Sequence, residues 1–71
     1  MEKRNEGFEK GDRIRSIHKR YIDVEIGNEG TVSSVYKGDA FPDSINSIRV
    51  RYDKHPDFIY FENGDTIEKI Q

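Results

Sequence analysis

Six basic side chains have the spacing of a phosphate-binding surface. They are Arg13, Arg15, Lys19, Arg20, Arg49 and Arg51. Ile14 separates the first two arginines and Val50 the last two. Because side chains two residues apart on a strand share a face, each arginine pair is predicted to point outward with its apolar neighbour behind it. If the two strands lie near each other, the six residues form a basic stripe that contacts phosphates.

The overall charge favours a different interpretation of the same residues. The chain has 12 Lys and Arg against 14 Asp and Glu, a net charge of −2. Nucleic-acid affinity depends on surplus positive charge that neutralises phosphates. An acidic balance therefore favours a solvated strand face over a phosphate-binding stripe, and nucleic-acid binding is the alternative hypothesis.

A second set of side chains combines aromatic rings with carboxylates. Its members are Tyr21, Asp23, Glu25, Glu29, Tyr36 and Phe41. Aromatic grooves beside loops take Pro-rich peptides, and an acidic loop suits a basic partner. The competing interpretation is that the rings pack in the core, because the chain is short of apolar volume, and that the loop carboxylates are solvated. Alternation predicts that Tyr21 and Tyr36 are the least buried of the rings.

Catalysis and metal binding have no support in the sequence. His18 and His55 are too few for the three or four ligands of a zinc site, and the chain has no cysteine. No motif indicates a nucleophile, a phosphate-cradling loop or a paired acid and base. The sequence therefore predicts a non-enzymatic binding module with neither cofactor nor metal.

Short strands between turn signals must position these side chains. The predicted strands span residues 13–19, 31–36, 47–53, 58–62 and 66–70. No stretch has sustained helical periodicity, and the alternation of Ile22, Val24 and Ile26 predicts an extended arm with one buried side. Asn63-Gly64 predicts a hairpin between the last two strands.

Broken alternation predicts strongly bent strands. Ile14 and Ile17 are three residues apart, as are Val32 and Val35. A bulge or a sharp bend, near Ser16 in the first strand, would supply the curvature that a small closed barrel needs. The predicted interior contains Ile14, Val32, Val50, Ile67 and one of Ile59 and Phe61.

Two glycine segments resemble SH3-like barrels of the KOW type. Residues 11–15 read Gly-Asp-Arg-Ile-Arg, and residues 27–35 read Gly-Asn-Glu-Gly-Thr-Val-Ser-Ser-Val. Residues 48–53 look like the third strand of such barrels, and the chain is similar to small uncharacterised SH3-like proteins of bacteria, phages and mobile elements. The resemblance implies a five-stranded all-β barrel that contacts RNA, the ribosome, polymerase or a peptide. This chain differs from RNA-binding KOW domains at the residues before Gly27: it has Glu25-Ile26, where those domains usually carry a basic residue.

Taken together, the sequence predicts one small SH3-like barrel over residues 11–71 after a flexible charged arm over residues 1–10. The first functional hypothesis is a protein-interaction module, an accessory protein of a bacterium or mobile element, with an unknown protein or peptide partner. No apolar run reaches the ~20 residues of a membrane span, and the first ten residues do not resemble a signal peptide. A cytoplasmic monomer is expected.

Overall fold

The protein forms one curled antiparallel sheet. The computed structural model describes residues 5–36 and 46–70, and these contain no helix. The strands are β1 (Arg13–Ser16), β2 (Glu29–Val35), β3 (Ile48–Tyr52), β4 (Tyr60–Glu62) and β5 (Ile67–Lys69). Their order across the sheet is β4-β3-β2-β1-β5. The predicted all-β class with five strands is confirmed, and the sheet is compatible with a small SH3-like barrel.

The central strand β2 bends the sheet. It pairs with β1 over Glu29 to Thr31 and with β3 from Gly30 to Val35. The register with β3 shifts between Val32 and Ser34, which leaves one extra residue on β2. Such a bulge increases the local twist, so the predicted bulge in this strand is confirmed. For the first strand, the prediction is a bulge or a sharp bend near Ser16, and the bulge is wrong: the register of β1 with β2 and β5 has no shift, the strand ends at Ser16, and Ile17 is exposed.

Nine apolar side chains among the described residues fill the interior. They are Phe8, Ile14, Val24, Val32, Ile48, Val50, Tyr52, Tyr60 and Ile67. Of the predicted core residues, Ile14, Val32, Val50 and Ile67 are confirmed. The fifth is wrong, because Tyr60 is 8% exposed whereas Ile59 and Phe61 are 36% and 47% exposed. Tyr60 is buried because its ring packs edge-on against two other tyrosines and its hydroxyl finds a carboxylate.

The segment after β1 is a compact loop and not an extended arm. Its Val24 amide donates to the Tyr21 carbonyl at 3.2 Å, which closes a tight turn. Val24 is buried, but Ile22 at the tip of the turn is 94% exposed and Ile26 is exposed too. The predicted burial of all three residues is therefore wrong, since a turn cannot keep the two-residue alternation of a strand.

The Asn63-Gly64 hairpin prediction is also wrong. β5 pairs with β1 and not with β4. A type I′ hairpin needs positive φ at both central residues, and neither Asn63 nor Gly64 has one. Thr66 instead closes the turn: its hydroxyl accepts from the Asn63 amide at 3.0 Å. The turn carries the chain from one edge of the sheet to the other.

The residues before β1 pack against the sheet. Phe8 lies in the core, and the buried Asn5 side chain donates to the Ser47 hydroxyl and accepts from the Gly64 amide at 2.6 Å. Asn5 thus ties the start of β3 to the turn before β5. The domain boundary at residue 11 stays a prediction.

Candidate functional site

The two β1 arginines face outward as their alternation predicts, and both are neutralised. The Arg13 guanidinium donates to both oxygens of Asp53, at 3.0 and 2.7 Å, and lies 3.4 Å from Glu29. Arg15 donates to Glu68, its neighbour across the β1–β5 pair, at 2.8 Å. The Arg13 guanidinium lowers the pKa of the Asp53 carboxyl from its usual 3.8. These arginines carry their own counter-charges.

Lys19 and Arg20 hold the loop after β1. The Lys19 ammonium donates to the carbonyls of Tyr21 and Ile22 at 2.9 and 3.1 Å and pairs with Glu25 at 3.0 Å. Arg20 reaches across to β4, where it donates to the Phe61 carbonyl at 3.0 Å. Both cations make contacts within the fold that stabilise the loop.

The two β3 arginines differ from the other four members of the stripe. Arg49 donates to the Ser34 hydroxyl at 3.1 Å, and its guanidinium lies 5.7 Å from the centre of the Phe61 ring. Arg51 is exposed. Within the described residues, neither arginine has a carboxylate within ion-pair distance. The uncompensated positive charge of the stripe is therefore confined to β3.

Exposed apolar side chains lie beside these arginines. Phe61 pairs directly with Arg49 in the β3–β4 register. Ile59, two residues before Phe61, is exposed too. We call Arg49, Arg51, Ile59 and Phe61 the β3–β4 face. Sequence reasoning missed its apolar part because Ile59, Tyr60 and Phe61 are consecutive, so apolar character does not show which of them points inward.

The predicted aromatic set is divided between two places. Tyr21 is half-buried: its ring lies 5.1 Å from that of Tyr60, and its hydroxyl donates to the Phe61 carbonyl at 2.6 Å. Tyr36 is exposed at the end of β2, where its amide donates to Ser47 at 2.8 Å. Phe41 lies outside the described residues. Tyr21 therefore helps to hold β4 in place, through its contacts with Tyr60 and Phe61.

The three predicted carboxylates have three separate partners. Asp23 accepts from the Tyr60 hydroxyl at 2.7 Å, Glu25 pairs with Lys19, and Glu29 lies by Arg13 on the outer face of the sheet. The Tyr60 hydrogen bond lowers the pKa of Asp23. The same bond, together with burial, raises the pKa of Tyr60 to about 12. His55 completes this cluster, with its Nε2 2.6 Å from the Asp23 carbonyl oxygen.

Comparison with protein-family models, with curated proteins and with solved structures finds no match for this chain. Function must therefore be inferred from the geometry of the site. Across residues 5–36 and 46–70 there is no helix long and apolar enough to cross a membrane. The same residues include no group of three His, Asp or Glu side chains placed to hold a metal ion.

The β4 edge of the sheet is closed to strand addition at its centre. An edge strand normally presents unpaired backbone groups to other chains. Here the Phe61 carbonyl accepts from both Arg20 and Tyr21, at 3.0 and 2.6 Å. These side chains occupy the position that an added strand would need. A partner of β4 is thus expected to meet its outward side chains and not its backbone.

The Asp23–Tyr60 hydrogen bond is predicted to hold the loop against β4. In Tyr60→Phe, we expect the Val24 amide to exchange with solvent roughly tenfold faster, because the loop loses its hydrogen bond to β4 and opens more often. Hydrogen exchange followed by NMR measures this, with the amides of β1 as internal controls. Unchanged protection of Val24 would contradict the prediction.

The same contact has a pH dependence of known sign. The folded-state pKa of Asp23 is lowered, so its contribution is present above the ordinary value of 3.8 and is lost as the pH falls below it through the folded pKa. Amide shifts of the loop should therefore move below pH 3.8 in the wild type. They should move less in Asp23→Asn.

Proposed function

We propose that this protein is a non-enzymatic protein-interaction module that binds its partner through the β3–β4 face. The observation that supports this is the pair of exposed apolar side chains, Ile59 and Phe61, beside two arginines without carboxylate partners among the described residues. Clustered exposed apolar side chains mark interaction sites. Aromatic residues and arginine are also the types most enriched where protein interfaces bury their energetic centres.

This face replaces the aromatic and acidic set as the proposed binding surface. Tyr21 and Asp23 stabilise the position of β4, since each makes a hydrogen bond to a β4 residue. The likeness of residues 27–35 to KOW-type barrels is consistent with a binding role. A monomeric, cytoplasmic accessory protein of a bacterium or mobile element remains part of the proposal.

Nucleic-acid binding is less well supported than protein binding. Of its six proposed contacts, Arg13, Arg15, Lys19 and Arg20 already have carboxylate partners. A polyanion that followed β1 would displace these pairs and meet Glu29, Asp53 and Glu68 on the same side of the sheet. The alternative predicts affinity for RNA or single-stranded DNA that falls steeply with salt.

Phe61→Ser is expected to reduce partner binding by at least tenfold, since truncation of a central interface aromatic typically costs about 1–2 kcal/mol or more. Affinity capture from the source organism, followed by quantitation of the enriched protein, measures this. Ile22→Ser is the matched control, because Ile22 is equally apolar and 94% exposed but lies off the face. Capture that survives Phe61→Ser, with both variants folded, would rule out this face.

A further inference from the structure

We infer that the β3–β4 face takes an acidic peptide segment, in which two carboxylates pair with Arg49 and Arg51 while an apolar side chain packs on Phe61. This inference rests on the proposed function and adds the chemistry of the partner. It would make the interface selective by charge as well as by apolar contact.

Charge complementarity is the first argument. Five of the described cations have a carboxylate within the fold: Arg13, Arg15, Lys19, Arg20 and Lys69. Arg49, Arg51, Lys10 and Lys54 do not, and of these four described cations Arg49 and Arg51 are the two that share one face of a strand. The acid nearest to them along the chain, Asp53, already accepts from both terminal nitrogens of Arg13. A partner with carboxylates would therefore supply a counter-charge that the described residues do not give the β3 arginines.

The strand geometry sets the number of carboxylates. Arg49 and Arg51 are two residues apart on one strand, so their Cα atoms are separated by about 6.6–6.8 Å. Each guanidinium can take one carboxylate in a two-pronged hydrogen bond. Two acidic side chains on the partner therefore match the face better than one.

Arg49 is already positioned for such a contact. Its guanidinium is held by the Ser34 hydroxyl at 3.1 Å and by the Phe61 ring at 5.7 Å. A guanidinium stacked on a ring is weakly hydrated and planar, which lowers the cost of pairing it with a carboxylate. The same ring offers its remaining exposed surface to an apolar side chain of the partner.

The surrounding acids favour a short acidic segment over a nucleic acid. Glu29 on β2 and Glu68 on β5 lie across the outer face from the β3 arginines. A long polyanion that crossed the sheet would run into these carboxylates. Two carboxylates placed over Arg49 and Arg51 would lie near Asp53 at the end of β3, whose charge Arg13 already compensates.

An NMR titration with defined probes tests the inference. The probes are ten-residue synthetic peptides with a central Phe and two Glu at alternate positions, matched peptides with Gln or Lys in place of Glu, and a twelve-nucleotide oligothymidine. We expect the Glu peptide to shift β3 and β4 amides and to bind at least tenfold more tightly than the Gln or Lys peptide. In Arg51→Glu its affinity should fall at least tenfold. Lys10→Glu makes the same change of charge elsewhere and should have little effect.

The possible outcomes separate this inference from the proposed function. Equal binding of the Glu and Gln peptides would overturn the acidic partner and leave a purely apolar interface. No shift with any peptide, or oligothymidine binding in place of the peptides, would also overturn it. If Phe61→Ser abolishes capture of the natural partner but Arg51→Glu does not, the inference fails and the proposed function stands. If Phe61→Ser leaves capture intact, both fail.

Discussion

Replacing Glu62 with alanine is expected to destabilise the folded protein by about 3–5 kcal/mol, as breaking a buried charge pair from one side usually does. Glu62 is 1% exposed. Its carboxylate accepts from the Tyr52 hydroxyl and from the Thr66 hydroxyl, both at 2.7 Å, and lies 3.4 Å from Arg20. Alanine would leave these donors without their carboxylate acceptor. Since a domain has only about 5–15 kcal/mol of stability, much of the population should unfold.

Urea denaturation measures the effect, and two variants bracket it. Glu68→Ala breaks the exposed ion pair with Arg15 and should cost less than about 1 kcal/mol. Glu62→Gln keeps the shape of the side chain and should lie between the two, which preserves a measurable value if Glu62→Ala does not fold. A loss below about 1 kcal/mol for Glu62→Ala would show that the carboxylate is not buried as described.

The carboxylate also sets the protonation of its neighbour. Burial and the Glu62 charge together raise the pKa of Tyr52 well above its usual 10.0. Tyr52 therefore keeps its proton as a hydrogen-bond donor throughout the physiological range. Its ring meanwhile packs edge-on against Tyr60, with centroids 5.5 Å apart. One side chain thus links the apolar core to the polar network, which explains how a core containing an acid can be stable.

The buried acid could not be predicted from the sequence. On the fourth strand, apolar character predicts that one of Ile59 and Phe61 lies inside, whereas the structure buries Tyr60 and Glu62. The inward placement of Tyr60 and Glu62 is stable because the polar group of each side chain has hydrogen-bond partners. The Tyr60 hydroxyl donates to Asp23, and the Glu62 carboxylate accepts from Tyr52 and Thr66. An alternation pattern contains no information about such partners. The inward face of the third strand was predicted correctly, because Ile48, Val50 and Tyr52 alternate with polar residues and so identify the buried face without ambiguity.

The same limit applies to the candidate site. Alternation correctly placed Arg13, Arg15 and Arg51 outward, but it could not show which arginines are neutralised. Arg13 and Asp53 are 40 residues apart in the chain, and Arg15 and Glu68 are 53 apart. The first pair forms because β1 and β3 both lie beside β2, and the second because β5 lies beside β1. Turn residues predicted the number of strands, but strand order depends on long-range pairing that no local signal specifies.

Gly30→Ala is expected to destabilise the protein by about 2–3 kcal/mol, at the upper end of the usual cost of overpacking. Gly30 pairs with Tyr52 across β2 and β3 and has no positive φ, so the restriction is purely one of space. An added Cβ would lie 2.7 Å from the Arg51 carbonyl oxygen and 2.9 Å from the Tyr52 Cα. Both are backbone atoms of the neighbouring strand, so a change of rotamer cannot relieve the clash.

Gly27→Ala provides the matched comparison in the same motif. Gly27 has φ +98°, and a Cβ there would meet nothing within 4 Å. The expected destabilisation by Gly27→Ala is therefore only the backbone strain of roughly 1–2 kcal/mol. Denaturation of the two variants should therefore rank Gly30→Ala as the more destabilised. Weakened exchange protection in Gly30→Ala should centre on the β2–β3 pair. Because the clash depends on the register between these strands, a neutral Gly30→Ala would mean that β3 does not lie where Arg49 and Arg51 are placed, and the β3–β4 face would have to be redrawn.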